Sequence, residues 1–120
     1  MTKRIGMIGL GLLGSALAER LQGAGFDVLG HDKRQAEGTS PLKERSPNAA
    51  AVFAASERIA LCRPDSSIVA DVLREVDGSL RPGQVIIDTT TGDPEQTTIL
   101  AERLQRKGIA FVDATVLGSS

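Results

Sequence analysis

The amino-acid sequence predicts a doubly wound α/β domain with a mainly parallel sheet of about five or six strands and helices on both faces. Three observations carry that expectation. Strand-like and helix-like segments alternate along the whole chain. A glycine-rich corner, Gly9-Leu10-Gly11-Leu12-Leu13-Gly14, joins the first strand to the first helix. A second apolar strand then runs up to an acidic residue, Asp32, 18 residues after Gly14.

The elements follow in order. The apolar run Arg4 to Ile8 reads as the first strand, and about Leu12 to Gln22 as the first helix. That helix stops at Gly23-Ala24-Gly25, where glycine suits a C-terminal cap. The second strand covers about Asp27 to His31. Lys33 to Asn48 holds Gly38, Pro41, Pro47 and mixed charges without a period, and reads as loop. Ala49 to Ser56 is a short alanine-rich helix, and Arg58-Ile59-Ala60-Leu61-Cys62 a strand stopped by Pro64. Ser66 or Ser67 caps a helix through about Val76, with Ile68, Val69, Val72, Leu73 and Val76 on one face. Gln84 to Asp88 is a strand. Asp93 as N-cap and Pro94 at the first helical position open a helix to about Lys107, and Ile109 to Asp113 is the last strand.

Ligands of such sheets bind beyond the carboxyl ends of the strands. Those ends carry Gly9 to Gly14, Asp32, Arg63-Pro64, Thr89 to Thr91, and Asp113 to Gly118, so five segments converge on one crevice. A Gly-x-Gly-x-x-Gly loop between strand and helix is the setting that binds a dinucleotide pyrophosphate. Gly9 permits the tight turn, Gly11 admits the phosphates to the backbone, and Gly14 lets the helix pack close to the strand. The free N–H groups and positive end of the helix dipole face the anion, with Leu10, Leu12 and Leu13 filling the loop between the glycines. Asp32 lies at the spacing of a ribose ligand, which favours NAD over NADP, because a carboxylate repels a 2′-phosphate. Lys33 and Arg34 are the residues that would pair with that phosphate if NADP were the cofactor. Thr91 is placed for cofactor contact at the crevice.

Other chemistry-bearing residues read more plainly. Cys62 is a small residue at a strand end, and His31 lies near the adenosine side without an acidic partner in a recognisable motif. Asp88 and Asp113 read as turn or helix-start residues at strand ends, and Thr89 to Thr91 otherwise as β-branched strand residues. Arg103, Arg106 and Lys107 form a solvated helix end matched to the dipole.

Composition narrows the classes. At 41% hydrophobic, 24% charged and formal net charge −1, the 120 residues give one small soluble domain with no basic patch for nucleic acid and no feature directed at a membrane. Phe26, Phe53 and Phe111 are the only aromatics, which disfavours base stacking. A single cysteine fits a reducing cytoplasm, and a single histidine leaves no zinc-type cluster, so no metal is expected.

Three motifs in order resemble the β-hydroxyacid dehydrogenase family, which includes 3-hydroxyisobutyrate dehydrogenase and the cofactor domain of 6-phosphogluconate dehydrogenase. Ile5 to Gly14 looks like that family's opening, Asp88-Thr89-Thr90-Thr91-Gly92-Asp93-Pro94 is similar to its Asp-x-Ser-Thr-x-x-Pro segment, and Lys107 to Gly118 resembles its Lys-Gly-x-x-Phe-x-Asp-Ala-Pro-Val-Ser-Gly stretch. The resemblance implies a Rossmann-type fold in which Gly9 to Gly14 hold the pyrophosphate and Asp32 the adenosine ribose, Arg63 and Pro64 lie beside the cofactor, Thr91 lies near the nicotinamide end, and Gly118 and Ser119 lie on the substrate side.

Leu117 departs from the family's substrate-holding serine, and the region between Asp32 and Ile59 is shorter than in the family, which erodes the second helix and third strand. Family members continue into a helical domain that carries the lysine implied as general acid/base. The resemblance therefore implies residues 1–120 as the dinucleotide-binding domain, truncated before that helical part, with no catalytic residue of its own. Truncation would leave a sheet edge and an apolar face open, which predicts self-association or marginal stability. Three readings stay open: the cofactor half of a hydroxy-acid dehydrogenase, a stand-alone non-catalytic nucleotide-binding module, and a relative reducing imines or other carbonyls.

Overall fold

Short apolar strands that alternate with helices are accommodated in a parallel sheet with helices above and below. A computed structural model shows that sheet, describing residues 4–9, 12–32, 44–46, 48–62, 66–89 and 93–114. In chain order the elements are β1 (Arg4–Ile8), α1 (Leu12–Gly23), β2 (Asp27–His31), β3 (Glu44–Arg45), α2 (Ala49–Ala55), β4 (Arg58–Leu61), α3 (Ser66–Glu75), a single 3₁₀ turn (Asp77–Ser79), β5 (Val85–Asp88), α4 (Pro94–Arg106) and β6 (Ala110–Asp113). The six strands run β3-β2-β1-β4-β5-β6, and each adjacent pair is parallel. This is the doubly wound order of a Rossmann-type fold, with the direction of winding reversing between β1 and β4.

Alternation along the strands divides the core in two. Met7, Val28 and Ala60 face α1 and pack with Ala18, Leu17, Leu21 and Phe26. Ile8, Ile59, Leu61 and Ile86 face the other side, where α2, α3 and α4 contribute Val52, Phe53, Val69, Val72, Leu100 and Leu104. The apolar stripe expected along α3 is borne out at Val69, Val72, Leu73 and Val76, all buried. α2 lies close on β1 because Gly6 has no side chain: a Cβ there would sit 2.7 Å from both Val52 Cγ1 and Ser56 Oγ.

At the amino-terminal end of the sheet the carboxyl end of α2 is tied down from a distance. The buried Gln84 amide donates to the Phe53 and Ser56 carbonyls at 2.8 and 3.0 Å, and its oxygen accepts from the Arg81 backbone N–H at 2.9 Å. The Arg81 guanidinium donates to the Phe53, Ala54 and Ser56 carbonyls. Carbonyls at a helix end have no partner within the helix, and these two side chains supply it.

The stretch expected to be loop between Lys33 and Asn48 is corrected in one place, and its last residue caps the helix expected from Ala49. Glu44–Arg45 forms β3, pairing with Leu29 and Gly30, and Asn48 is the N-cap of α2, its side-chain oxygen accepting from Ala51 N at 2.8 Å. Two residues carry no period that a sequence reading can detect, so the neighbouring strand decides their conformation. The N-cap was visible in principle, since asparagine ahead of an alanine run is a favoured helix opening. The N-cap expected at Asp93 is present: its carboxylate accepts from Glu95 N at 3.1 Å, with Pro94 behind it.

Candidate dinucleotide site

Parallel register places five strand ends in one row. Ile8 is paired with His31 on one side and Leu61 on the other, Leu61 with Asp88, and Asp88 with Asp113. One residue beyond that row, the ladder continues through backbone bonds: Gly9 N donates to His31 O (2.9 Å), Cys62 N to Ile8 O (2.8 Å), Thr89 N to Leu61 O (3.0 Å) and Ala114 N to Asp88 O (2.8 Å). Asp32, Gly9, Cys62, Thr89 and Ala114 therefore form a continuous rim at the carboxyl edge.

The centre of this rim is the corner between β1 and α1. Gly9 has φ +96°, a conformation in the left-handed region that favours glycine. Leu12 opens α1, and Gly14 lies in its first turn against the corner. A Cβ on Gly14 would stand 2.2 Å from the Gly9 carbonyl oxygen and 3.4 Å from Cys62 Cβ. The helix thus sits as close to the strand end as a bare backbone allows. The amino-terminal end of this 12-residue helix, the positive end of its dipole, stands beside the point where the winding reverses. A cradle of this shape, rimmed by backbone donors and with an acid at the next strand end, fits the pyrophosphate and ribose of a dinucleotide.

The flanking side chains have defined surroundings. Asp32 is half-buried, directly beside Gly9 in the row. His31 Nδ1 lies 3.0 Å from the Ser46 carbonyl oxygen, which can only accept, so that nitrogen carries the proton and the ring is tied to the strand edge. Asp88, expected at a strand end, is the last residue of β5 and is buried. Asp113 likewise closes β6 and is exposed. Cys62 is half-buried next to Gly14; burial pushes its thiol above the ordinary range, the neighbouring Thr89 hydroxyl opposes the shift and the Asp88 carboxylate adds to it. Thr89, expected as no more than a strand residue, is buried with its hydroxyl donating to Leu61 O at 2.8 Å and 3.4 Å from Cys62 Sγ. The sequence placed it at the crevice with Thr90 and Thr91, but gave no sign of its bond to Leu61.

The rim brings together Gly9, Leu12, Leu13, Gly14 and Asp32 of the expected site. Leu10, Gly11, Lys33, Arg34, Arg63, Pro64, Thr91, Gly118 and Ser119 lie outside the described residues. Among the described residues no helix is long and apolar enough to cross a membrane, and no three His, Cys, Asp or Glu side chains gather to hold a metal ion.

Comparison with known proteins places residues 4–120 under one family model, the NAD binding domain of 6-phosphogluconate dehydrogenase. The chain is 32% identical over 123 residues to 2-(hydroxymethyl)glutarate dehydrogenase of Eubacterium barkeri, covering 98% of this chain and 41% of the relative. It is 28% identical over 121 residues to an NADPH-dependent reductive aminase of Aspergillus oryzae, covering 98% of this chain and 40% of the relative. The structure of 3-hydroxyisobutyrate dehydrogenase from Mycobacterium tuberculosis superimposes with a TM-score of 0.90 at 23% identity, over 98% of this chain and 42% of that one. The chain thus spans about two fifths of the length of the relatives it matches.

Proposed function

Since the chain belongs to the family of the NAD binding domain of 6-phosphogluconate dehydrogenase and is a dinucleotide-binding domain of the 3-hydroxyisobutyrate dehydrogenase-like type, we propose that it acts as the cofactor half of a hydride-transferring oxidoreductase, with NAD preferred to NADP. The observation that carries the reading is the corner of Gly9 and Gly14 at the reversal of winding, with Asp32 next to it in the rim.

In this reading Gly9 to Gly14 enclose the pyrophosphate with backbone N–H groups, and the Asp32 carboxylate accepts from the adenosine ribose hydroxyls. Arg63, Pro64 and Thr91 border the nicotinamide end, and Gly118 and Ser119 one wall of the substrate pocket. When bound, the nicotinamide supplies or takes up a hydride at the carbon bearing the substrate oxygen. Residues 1–120 orient the cofactor and leave the proton exchange on that oxygen to a group outside these residues. The substrate class is a small hydroxy acid or its carbonyl form, and the setting a cytoplasmic one. A second reading, reduction of imines, draws on the likeness to a reductive aminase and on Leu117, which cannot hydrogen-bond a carboxylate where the hydroxy-acid enzymes carry serine.

Calorimetric titration of the chain with NADH and NADPH tests the main reading. The expected result is saturable binding with NADH the tighter, and weakening by about tenfold in Asp32→Ala, the worth of hydrogen bonds to a charged acceptor. A folded chain that binds neither nucleotide would refute it. Self-association is part of the same proposal. On the α1 side of the sheet Val112 is 45% exposed and Ile87, its register partner, is only half-buried, while a parallel sheet ordinarily has both faces covered. Sedimentation at increasing concentration should show dimers or larger species, and a monomer throughout would remove this part of the proposal.

A further inference from the structure

Leu61 O, at the end of β4, accepts twice from the same residue: from Thr89 N at 3.0 Å and from Thr89 Oγ1 at 2.8 Å. The backbone bond alone completes the ladder, so the hydroxyl bond is additional to what the sheet requires. It fixes the first residue beyond β5 onto the end of β4 and sets the hydroxyl 3.4 Å from Cys62 Sγ. Cys62 in turn lies against the first turn of α1, its Cβ 3.4 Å from where a side chain on Gly14 would begin. A chain of contacts therefore runs from the β5 rim through the thiol to the glycine corner. It crosses the reversal of winding, on the side formed by β4 and β5. In a doubly wound sheet each half holds one mononucleotide, and Asp32 at the end of β2 places adenosine on the other half.

We infer that Thr89 is a positioning residue for the nicotinamide mononucleotide half of the cofactor, acting through Cys62 on the floor of the crevice between β4 and α1. The inference rests on the dinucleotide reading and deepens it. The hydroxyl holds the β4 and β5 ends at a fixed separation and holds the sulfur clear of the space above the corner. Thr89→Val keeps the shape and leaves Leu61 O satisfied by the backbone, while it removes the link.

The test compares NADH with ADP, which carries the adenosine and the pyrophosphate but no nicotinamide nucleoside, in calorimetric titrations of the wild-type chain, Thr89→Val and Thr89→Ser. Thr89→Val should weaken NADH by about fivefold, the worth of one hydrogen bond, while changing ADP by less than about twofold. Thr89→Ser, which keeps the hydroxyl, should restore NADH binding. Equal weakening of both ligands, no weakening of either, or failure of serine to restore NADH would overturn the assignment. Where Thr89→Val does not fold, Cys62→Ala breaks the same link from its sulfur end and carries the same expectation of a selective NADH loss. Absence of both NADH and ADP binding in the folded wild-type chain would instead remove the dinucleotide reading itself.

Discussion

Two glycines in one helix should respond to the same substitution with opposite signs. Gly14 and Gly23 both lie in α1, and replacing either by alanine gains about 1 kcal/mol of helix propensity in an interior position and less at the helix end. At Gly23 nothing lies within 4 Å of the added Cβ, so the gain is unopposed and Gly23→Ala should be neutral or stabilising by a few tenths of a kcal/mol. At Gly14 the Cβ would stand 2.2 Å from the Gly9 carbonyl oxygen, with the Gly9 carbonyl carbon at 3.1 Å behind it.

Backbone cannot rotate aside as a side-chain end does, so α1 must retreat from β1 by about 1 Å to restore ordinary contact; strain from overpacking costs about 1–3 kcal/mol. Less the propensity gain, Gly14→Ala should destabilise by up to about 2 kcal/mol and lower Tm by up to several degrees. Thermal unfolding followed by circular dichroism measures both variants, and NADH titration measures the consequence for the crevice. Retreat of the helix removes its first N–H groups from the pyrophosphate, so the affinity should fall more than the stability does. A Gly14→Ala chain with wild-type Tm and wild-type NADH affinity would refute the claim that close approach is what this position requires.

Three further outcomes follow from the packing and hydrogen bonds of the sheet. Gln84→Leu removes the buried amide that serves the Phe53 and Ser56 carbonyls and orphans Arg81 N, so denaturant unfolding should show a loss of about 2–3 kcal/mol. Ser56 Oγ is buried without a hydrogen-bond partner, so Ser56→Ala should raise stability by about 1 kcal/mol, and a fall would show that the hydroxyl is served after all. Burial raises the Cys62 pKa, which lowers the thiolate fraction at neutral pH; alkylation should be slower than that of a small free thiol at pH 7, and its rate should still be climbing above pH 9.0, where an unshifted thiol levels off. An alkylation rate equal to the free thiol's at pH 7 would contradict that assignment.

What the sequence disclosed follows from where the physics is local. The helix start at Leu12 after Gly9, the Asp93-Pro94 helix opening and the apolar strands are set by residues adjacent in the chain, and the structure shows each within about a residue of the expected bounds. β3 was not legible because two residues hold a strand only when β2 is already beside them. Asp88 closes its strand as expected, but its burial was not legible for a related reason. An aspartate at the end of an apolar run ordinarily turns the chain into solvent, but β4 and β6 flank this one and carry the ladder a residue further. The role of Thr89 depends on Leu61 and Cys62, 28 and 27 residues away, and no spacing rule connects them.

The two ends of the sheet divide stability from binding. At the amino-terminal end, Arg81 and Gln84 spend their donors on the carbonyls of α2, and Arg4 pairs with Asp27 at 3.0 Å, so the polar groups named there are occupied within the fold. At the carboxyl end, backbone bonds close the ladder, and glycine at 9 and 14 lets the first turn of α1 approach the end of β1 closely. Substitutions at the first end should therefore lower Tm while leaving nucleotide affinity intact in the folded fraction. Conservative substitutions at the rim, Thr89→Val foremost, should lower affinity with little change in Tm, since Leu61 O keeps its backbone donor. Gln84→Leu and Thr89→Val measured side by side by melting and by NADH titration give the test. If both move Tm and affinity in proportion, the crevice is only as rigid as the whole sheet, and the separation of roles argued from the hydrogen-bond inventory is wrong.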